Sequence, residues 1–77
     1  MRKVFVETLV KCSAEGQQVP LEIVWEDGRS FSIDKITEIK KAASLKVGGQ
    51  GLRYTCRVHG KETYLFLEED RWFMEGR

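Results

Sequence analysis

The chain has 77 residues, 42% of them hydrophobic and 32% charged. That is the composition of one small globular domain, 1–77, with no room for a second core, and not that of a disordered chain. Lys and Arg number 13 against 12 Asp and Glu, so a net charge of +1 supplies no bulk attraction to nucleic acid or an anionic membrane, and no apolar run approaches the roughly 18 residues of a membrane-spanning helix.

Met1-Arg2-Lys3 is basic, but Val4-Phe5-Val6 is broken at Glu7, so no secretory h-region follows and a cytoplasmic location is expected. Residues 4–12 read as a first strand with Val4, Val6, Val10 and Cys12 on one face. In a reducing compartment Cys12 and Cys56 are expected as two small buried thiols rather than a disulfide. Ser13, Gly16 and two glutamines make 13–19 a loop. Pro20 then opens a second strand, 21–25, with Leu21, Ile23 and Trp25 facing one side.

Asp27-Gly28 signals a hairpin. A two-residue loop would set Ile23 against Ser32. A three-residue loop, Glu26-Asp27-Gly28, sets Ile23 against Phe31 and Leu21 against Ile33, apolar on apolar, and this register is expected, with Gly28 left-handed. Residues 34–47 admit two readings. Ile36, Ile39 and Ala43 have helical spacing after a possible Asp34 cap. The β-branched Ile33, Ile36, Thr37 and Ile39 favour a strand with a bulge near Asp34-Lys35. Val47-Gly48-Gly49-Gln50-Gly51 is then a loop tip.

Residues 52–59, 62–68 and 71–75 form a meander. A turn at Gly60-Lys61 would pair His59 with Glu62, Arg57 with Tyr64, Cys56 with Leu65, Thr55 with Phe66 and Tyr54 with Leu67. A turn at Glu69-Asp70 pairs Leu67 with Trp72 and Phe66 with Phe73. The core face carries Tyr54, Cys56, Val58, Leu65, Leu67, Trp72 and Met74. The expected fold is all-β, a five- or six-stranded antiparallel small barrel or roll of SH3-like type, because curling protects the edges of so small a sheet. The alternative is α+β with one helix near 35–46.

The stretch Ala42-Ala43-Ser44-Leu45-Lys46-Val47-Gly48-Gly49-Gln50-Gly51-Leu52-Arg53-Tyr54-Thr55-Cys56-Arg57-Val58 resembles a family of short, uncharacterised bacterial proteins. The likeness continues through Gly60-Lys61-Glu62-Thr63-Tyr64-Leu65-Phe66 to Arg71-Trp72-Phe73-Met74-Glu75 and covers roughly residues 20–75. It implies a small β-rich domain of a bacterial cytoplasm and hands over no catalytic or ligand-binding residues.

The candidate interaction face is the outer side of the meander: Arg53, Arg57 and His59 beside Tyr64, Phe66 and Phe73. Arginines interleaved with rings can stack bases and hold phosphates; the same rings could instead form a second small core. Residues 30–61 carry seven Lys/Arg against Asp34 and Glu38, whereas 62–77 carry two against five acids, so a near-neutral chain hides a basic face. Other chemistry has little support. Cys56-x-x-His59 lacks a second ligand pair, and alternation sends its two members to opposite faces, so no metal is expected. Lys46-Val47-Gly48-Gly49-Gln50-Gly51 lacks the Gly-Lys-Ser/Thr ending and the following helix of a phosphate loop. No serine carries a nucleophile signature. The expectation is a non-enzymatic module without cofactor that docks a protein partner, with nucleic-acid binding through the Arg/aromatic face as the alternative.

Overall fold

The computed structural model describes residues 2–43 and 50–76, with side chains at 42, 43 and 50 left out. Eight strands follow in chain order: β1 (Arg2–Phe5), β2 (Glu7–Cys12), β3 (Gln18–Val24), β4 (Ser30–Ser32), β5 (Lys35–Ala43), β6 (Gln50–Val58), β7 (Lys61–Glu68) and β8 (Arg71–Gly76). They form a five-stranded sheet, β1-β8-β7-β6-β5, and a three-stranded sheet, β2-β3-β4. All pairings are antiparallel. The described residues contain no helix, and the two sheets are not closed into a barrel.

The strand count exceeds the expected five or six because two long segments bend from one sheet into the other. The expected strand 4–12 breaks at Val6, whose N–H still donates to the Trp72 carbonyl at 3.0 Å before the chain enters β2. The second corner is Ile33-Asp34. Ile33 N–H donates to Leu21 in one sheet at 2.9 Å, and Asp34 N–H donates to Arg57 in the other at 2.8 Å. Neither corner leaves these amides unpaired, so each keeps a backbone partner as the chain turns.

The 25–29 hairpin follows the apolar register, with Ile23 opposite Phe31. Gly28, at φ +91°, donates to the Trp25 carbonyl at 2.8 Å. Pro20 departs from expectation. It does not open the strand; it lies inside β3, the central strand of its sheet, and is fully buried. Proline has no N–H for a ladder and is tolerated in a sheet at bulges. Leu9 pairs with Glu22 and Val10 with Pro20, so Leu21 has no opposite residue. The bulge turns Pro20 and Ile23 inward and leaves Leu21, expected on the core face, 44% exposed.

Residues 35–43 are strand, which excludes the helix reading there; 44–46 lie outside the described residues, as does most of the glycine-rich loop 46–51. The bulge sits at Thr37 rather than at Asp34-Lys35: Ile36 opposes Cys56 and Glu38 opposes Thr55. Thr37 Oγ1 donates to the Thr55 carbonyl at 3.2 Å. Without this extra residue Ile36 would fall opposite Arg57 on the outer face; with it, both Ile36 and Ile39 point at the core.

The β6–β7 register is two residues away from expectation. The turn is His59-Gly60, not Gly60-Lys61, and both residues have positive φ, +54° and +74°. That is the type I′ pattern, whose twist matches the flanking strands and which favours glycine second. Tyr54 therefore opposes Leu65, Cys56 opposes Thr63, Thr55 opposes Tyr64 and Arg57 opposes Glu62. A slip of two preserves every face, so the core face was assigned correctly while its pairs were not. The β7–β8 register is as expected, with Leu67 on Trp72 and Phe66 on Phe73.

The core lies between the sheets. Val4, Val6, Ile23, Tyr54, Cys56, Leu65, Leu67 and Trp72 are buried, with Val58, Met74, Trp25 and Phe31 packed at its margin. Tyr54, 1% exposed, reaches from β6 across to β3, where its hydroxyl donates to the Gln18 carbonyl at 2.6 Å. Burial raises this phenol above its usual range. Its ring lies 5.1 Å from that of Trp72. Tyr54→Phe leaves the Gln18 carbonyl without its donor, a loss of about 1–3 kcal/mol. The expected result is a melting temperature lower by roughly 4–8 °C per kcal/mol, read by thermal unfolding.

The two thiols differ, against expectation: Cys56 is buried, but Cys12, the last residue of β2, is exposed, and both are free. Burial pushes the Cys56 thiol up to about 11 from an ordinary 9.0. In the unfolded chain this thiol loses its proton first, so above about 9 the unfolded state binds fewer protons and stability falls, through about 11. The raised Tyr54 phenol acts in the same direction. Denaturant titrations at rising alkaline pH should show this decline. A thiol reagent at neutral pH should modify Cys12 in the native protein and Cys56 only on unfolding.

Candidate interaction face

The outer face of the five-stranded sheet is assembled by register. Phe5 opposes Phe73, Phe73 opposes Phe66, Phe66 opposes Arg53, and Arg53 opposes Lys40. One row thus crosses all five strands, three phenylalanines followed by two cations. A second row runs Glu62, Arg57, Lys35, and between them Tyr64, Thr55 and Glu38 align.

The rings divide into two groups. Phe66 and Phe73 stack nearly parallel, 5.0 Å between centroids at 8°, and are only 7% and 2% exposed. Phe5 meets Phe73 edge-on at 5.6 Å. Lys3 Nζ lies 4.7 Å above the Phe73 ring while pairing with Glu68 at 3.0 Å, and the Arg71 guanidinium lies 3.8 Å from the Phe5 ring. Phe66 and Phe73 form a second small core and present no free face to a ligand, while Phe5 at its margin is 44% exposed. Tyr64, unlike Phe66 and Phe73, is 43% exposed, and the Arg53 guanidinium lies 4.8 Å over its ring. Such a contact contributes about 0.5–1 kcal/mol at an exposed site. Arg53 Nε is buried with no hydrogen-bond partner among the described residues.

Of the sequence-predicted residues, the structure brings together Arg53, Arg57, Tyr64, Phe66 and Phe73 on this one face. His59 is not with them. As the first turn residue it leans to the opposite side, its ring edge-on to Phe31 of β4 at 5.3 Å. Three contributors were not singled out from sequence: Phe5, Lys3 and Arg71. Their signal is alternation: Val4 and Val6 point inward, so Lys3 and Phe5 point away, and Trp72 points inward, so Arg71 points away.

The electrostatics of the β5–β6 pair are unbalanced. Lys35 lies directly opposite Arg57, and Lys40 opposite Arg53. Like charges in opposed positions destabilise a strand pair. Lys40 is relieved by Glu38 at 3.6 Å; Lys35, Arg53 and Arg57 have no ion pair among the described residues. No group of three or more His, Cys, Asp or Glu able to hold a metal occurs among those residues. Comparison with known proteins finds no matching family model, no matching curated protein and no matching solved structure, so the face is read from its own chemistry.

Burial predicts opposite outcomes for two rings on one face. Phe73→Ala should destabilise the domain by about 3–5 kcal/mol, as for a core phenylalanine. Tyr64→Ala should change stability by no more than about 1 kcal/mol, the loss of one exposed contact. Urea titrations of the two variants check this.

Proposed function

We propose that this chain is a non-enzymatic interaction module of the bacterial cytoplasm that docks an extended, acidic segment of a protein partner along β5 by strand addition. The observation that carries the reading is the pairing of cation with cation across β5 and β6. β5 is nine residues long and forms one edge of its sheet. Exposed edges invite pairing, and lysines on an edge commonly serve to repel other strands. Here Lys40, already beside Glu38, faces Arg53, and Lys35 faces Arg57 with no ion pair among the described residues, a placement unfavourable on its own that incoming carboxylates would relieve. A docked strand would find main-chain partners along β5 and countercharges beside it, the usual division between affinity and specificity in strand addition.

The finer fold description belongs with this reading. The two bent segments, β1–β2 and β4–β5, each contribute to both sheets, which supports a small SH3-like roll.

The nucleic-acid alternative is favoured by one observation, Arg53 lying over exposed Tyr64. It is weakened by the burial of Phe66 and Phe73, which removes two of the rings available for stacking.

The test is a titration of the full chain, followed by NMR, with a short peptide alternating valine and glutamate and with its lysine counterpart. The glutamate peptide should perturb and protect β5 amides. Lys35→Glu/Arg57→Glu should weaken it by about tenfold or more, about 1.4 kcal/mol. Equal binding of both peptides, or none, rejects the reading. A mixed single-stranded oligonucleotide that binds more tightly, with a steep salt dependence lowered by Arg53→Ala/Arg57→Ala, replaces it with the alternative.

A further inference from the structure

At one end of the molecule the β3–β4 and β6–β7 hairpins touch through the Phe31 and His59 rings, and beside that contact an opening remains at the margin of the core. The opening has a volume of about 390 Å³ and lies between Ile23, Trp25 and Phe31 of one sheet and Val58 and Met74 of the other. Such a volume is at the lower end of the range for small-molecule sites, about 300–1,000 Å³. Trp25, Phe31, Val58 and Met74 are only partly buried, although they pack against the core. The mouth is therefore an apolar surface that the fold itself does not finish covering.

Its lips carry Arg29, Lys61 and Glu62. Arg29 borders the opening from one hairpin and Lys61 from the other. Arg29 is held in place: its Nε donates to Asp27 Oδ2 at 2.8 Å, and its guanidinium lies 5.5 Å from the Phe31 ring. Asp27, whose carboxyl the Arg29 backbone N–H at 3.0 Å above all holds below the usual range, is thus the ion-pair partner of Arg29 but engages only its Nε, so a ligand carboxylate would meet the Nη groups. Lys61 opposes Val58, on the core-facing side of β7, and has no ion-pair partner among the described residues. Glu62 also borders the opening, but it opposes Arg57 and so belongs to the outer face.

We infer that this mouth is a binding site for a small amphipathic carboxylate, an alkyl or aryl group seated on Trp25, Phe31 and Met74 with its carboxylate between Arg29 and Lys61. The apolar part is driven in by removal from water, and the two cations select the head group. The site is separate from the β5 edge, and neither proposal depends on the other.

Three probes of one chain length and different charge test it: octanoate, octanol and octylammonium, each titrated into the full chain and followed by NMR. Octanoate should shift the Trp25 indole and Met74 methyl signals, and bind about tenfold more tightly than octanol, the effect of one charge-assisted contact. Lys61→Glu should abolish that preference while leaving octanol binding and the rest of the spectrum unchanged. Octylammonium binding as well as octanoate, shifts confined to the outer face near Tyr64, or no shift at all would each overturn the proposal.

Discussion

The phenol of Tyr54 spans the core from sheet to sheet. Its hydroxyl reaches the Gln18 carbonyl at 2.6 Å while its ring packs on Trp72. Packed sheets stand about 10 Å apart, and a tyrosine standing up from β6 is long enough to cross that gap. The contact fixes more than spacing. It ties the start of β3 to the middle of β6, so the bulge that turns Pro20 inward is anchored close to its own beginning. The corner at Val6 then completes the same layer, with its amide on Trp72, the ring on which Tyr54 rests. A shorter residue at 54 would leave both a void and an unpaired carbonyl.

The five-stranded sheet buries side chains on both faces. Its inner face holds Tyr54, Cys56, Leu65, Leu67 and Trp72; its outer face holds Phe66 and Phe73. The apolar rings gather toward β1 and β8, and the cations gather toward β5 and β6. The sheet is thus polarised across its width, with packing concentrated at one edge and opposed cations at the other. That division is why the outer face serves as a structural element and as a candidate docking surface in different places.

Much of this was legible in the residues, and the misses have physical causes. Alternation identified the inner face of the meander because period-2 patterning survives a register slip of two. It could not choose between Gly60-Lys61 and His59-Gly60, since both are acceptable two-residue turns and only the left-handed conformation of His59 separates them. The apolar match of Ile23 with Phe31 gave the first hairpin its loop length, because the competing register opposed Ile23 with a serine. Bulges were the blind spot. The one at Thr37 decides whether Lys35 or Ile36 faces outward, and hence whether Lys35 meets Arg57 at all; nothing in the local sequence specifies its position. The one at Leu21 reversed the expected roles of Leu21 and Pro20. For the candidate site, the arginines and Tyr64 were identifiable from parity, but the burial of Phe66 and Phe73 depends on side chains from distant parts of the chain, Phe5 and Lys3 among them.

The pairing of β1 with β8 bears on the order in which the fold can assemble. Arg2 lies opposite Gly76, and Phe5 opposite Phe73, so the first strand has no ladder partner in its own sheet until the last one is in place. The β6–β7–β8 meander closes through tight turns and can form early, whereas docking β1 requires closing a loop that includes nearly every other element. Contacts of such sequence separation slow folding. During synthesis Val4 and Phe5 would emerge long before the strand that covers them, and in that interval the N-terminal segment is the part of the chain most open to pairing with the wrong neighbour.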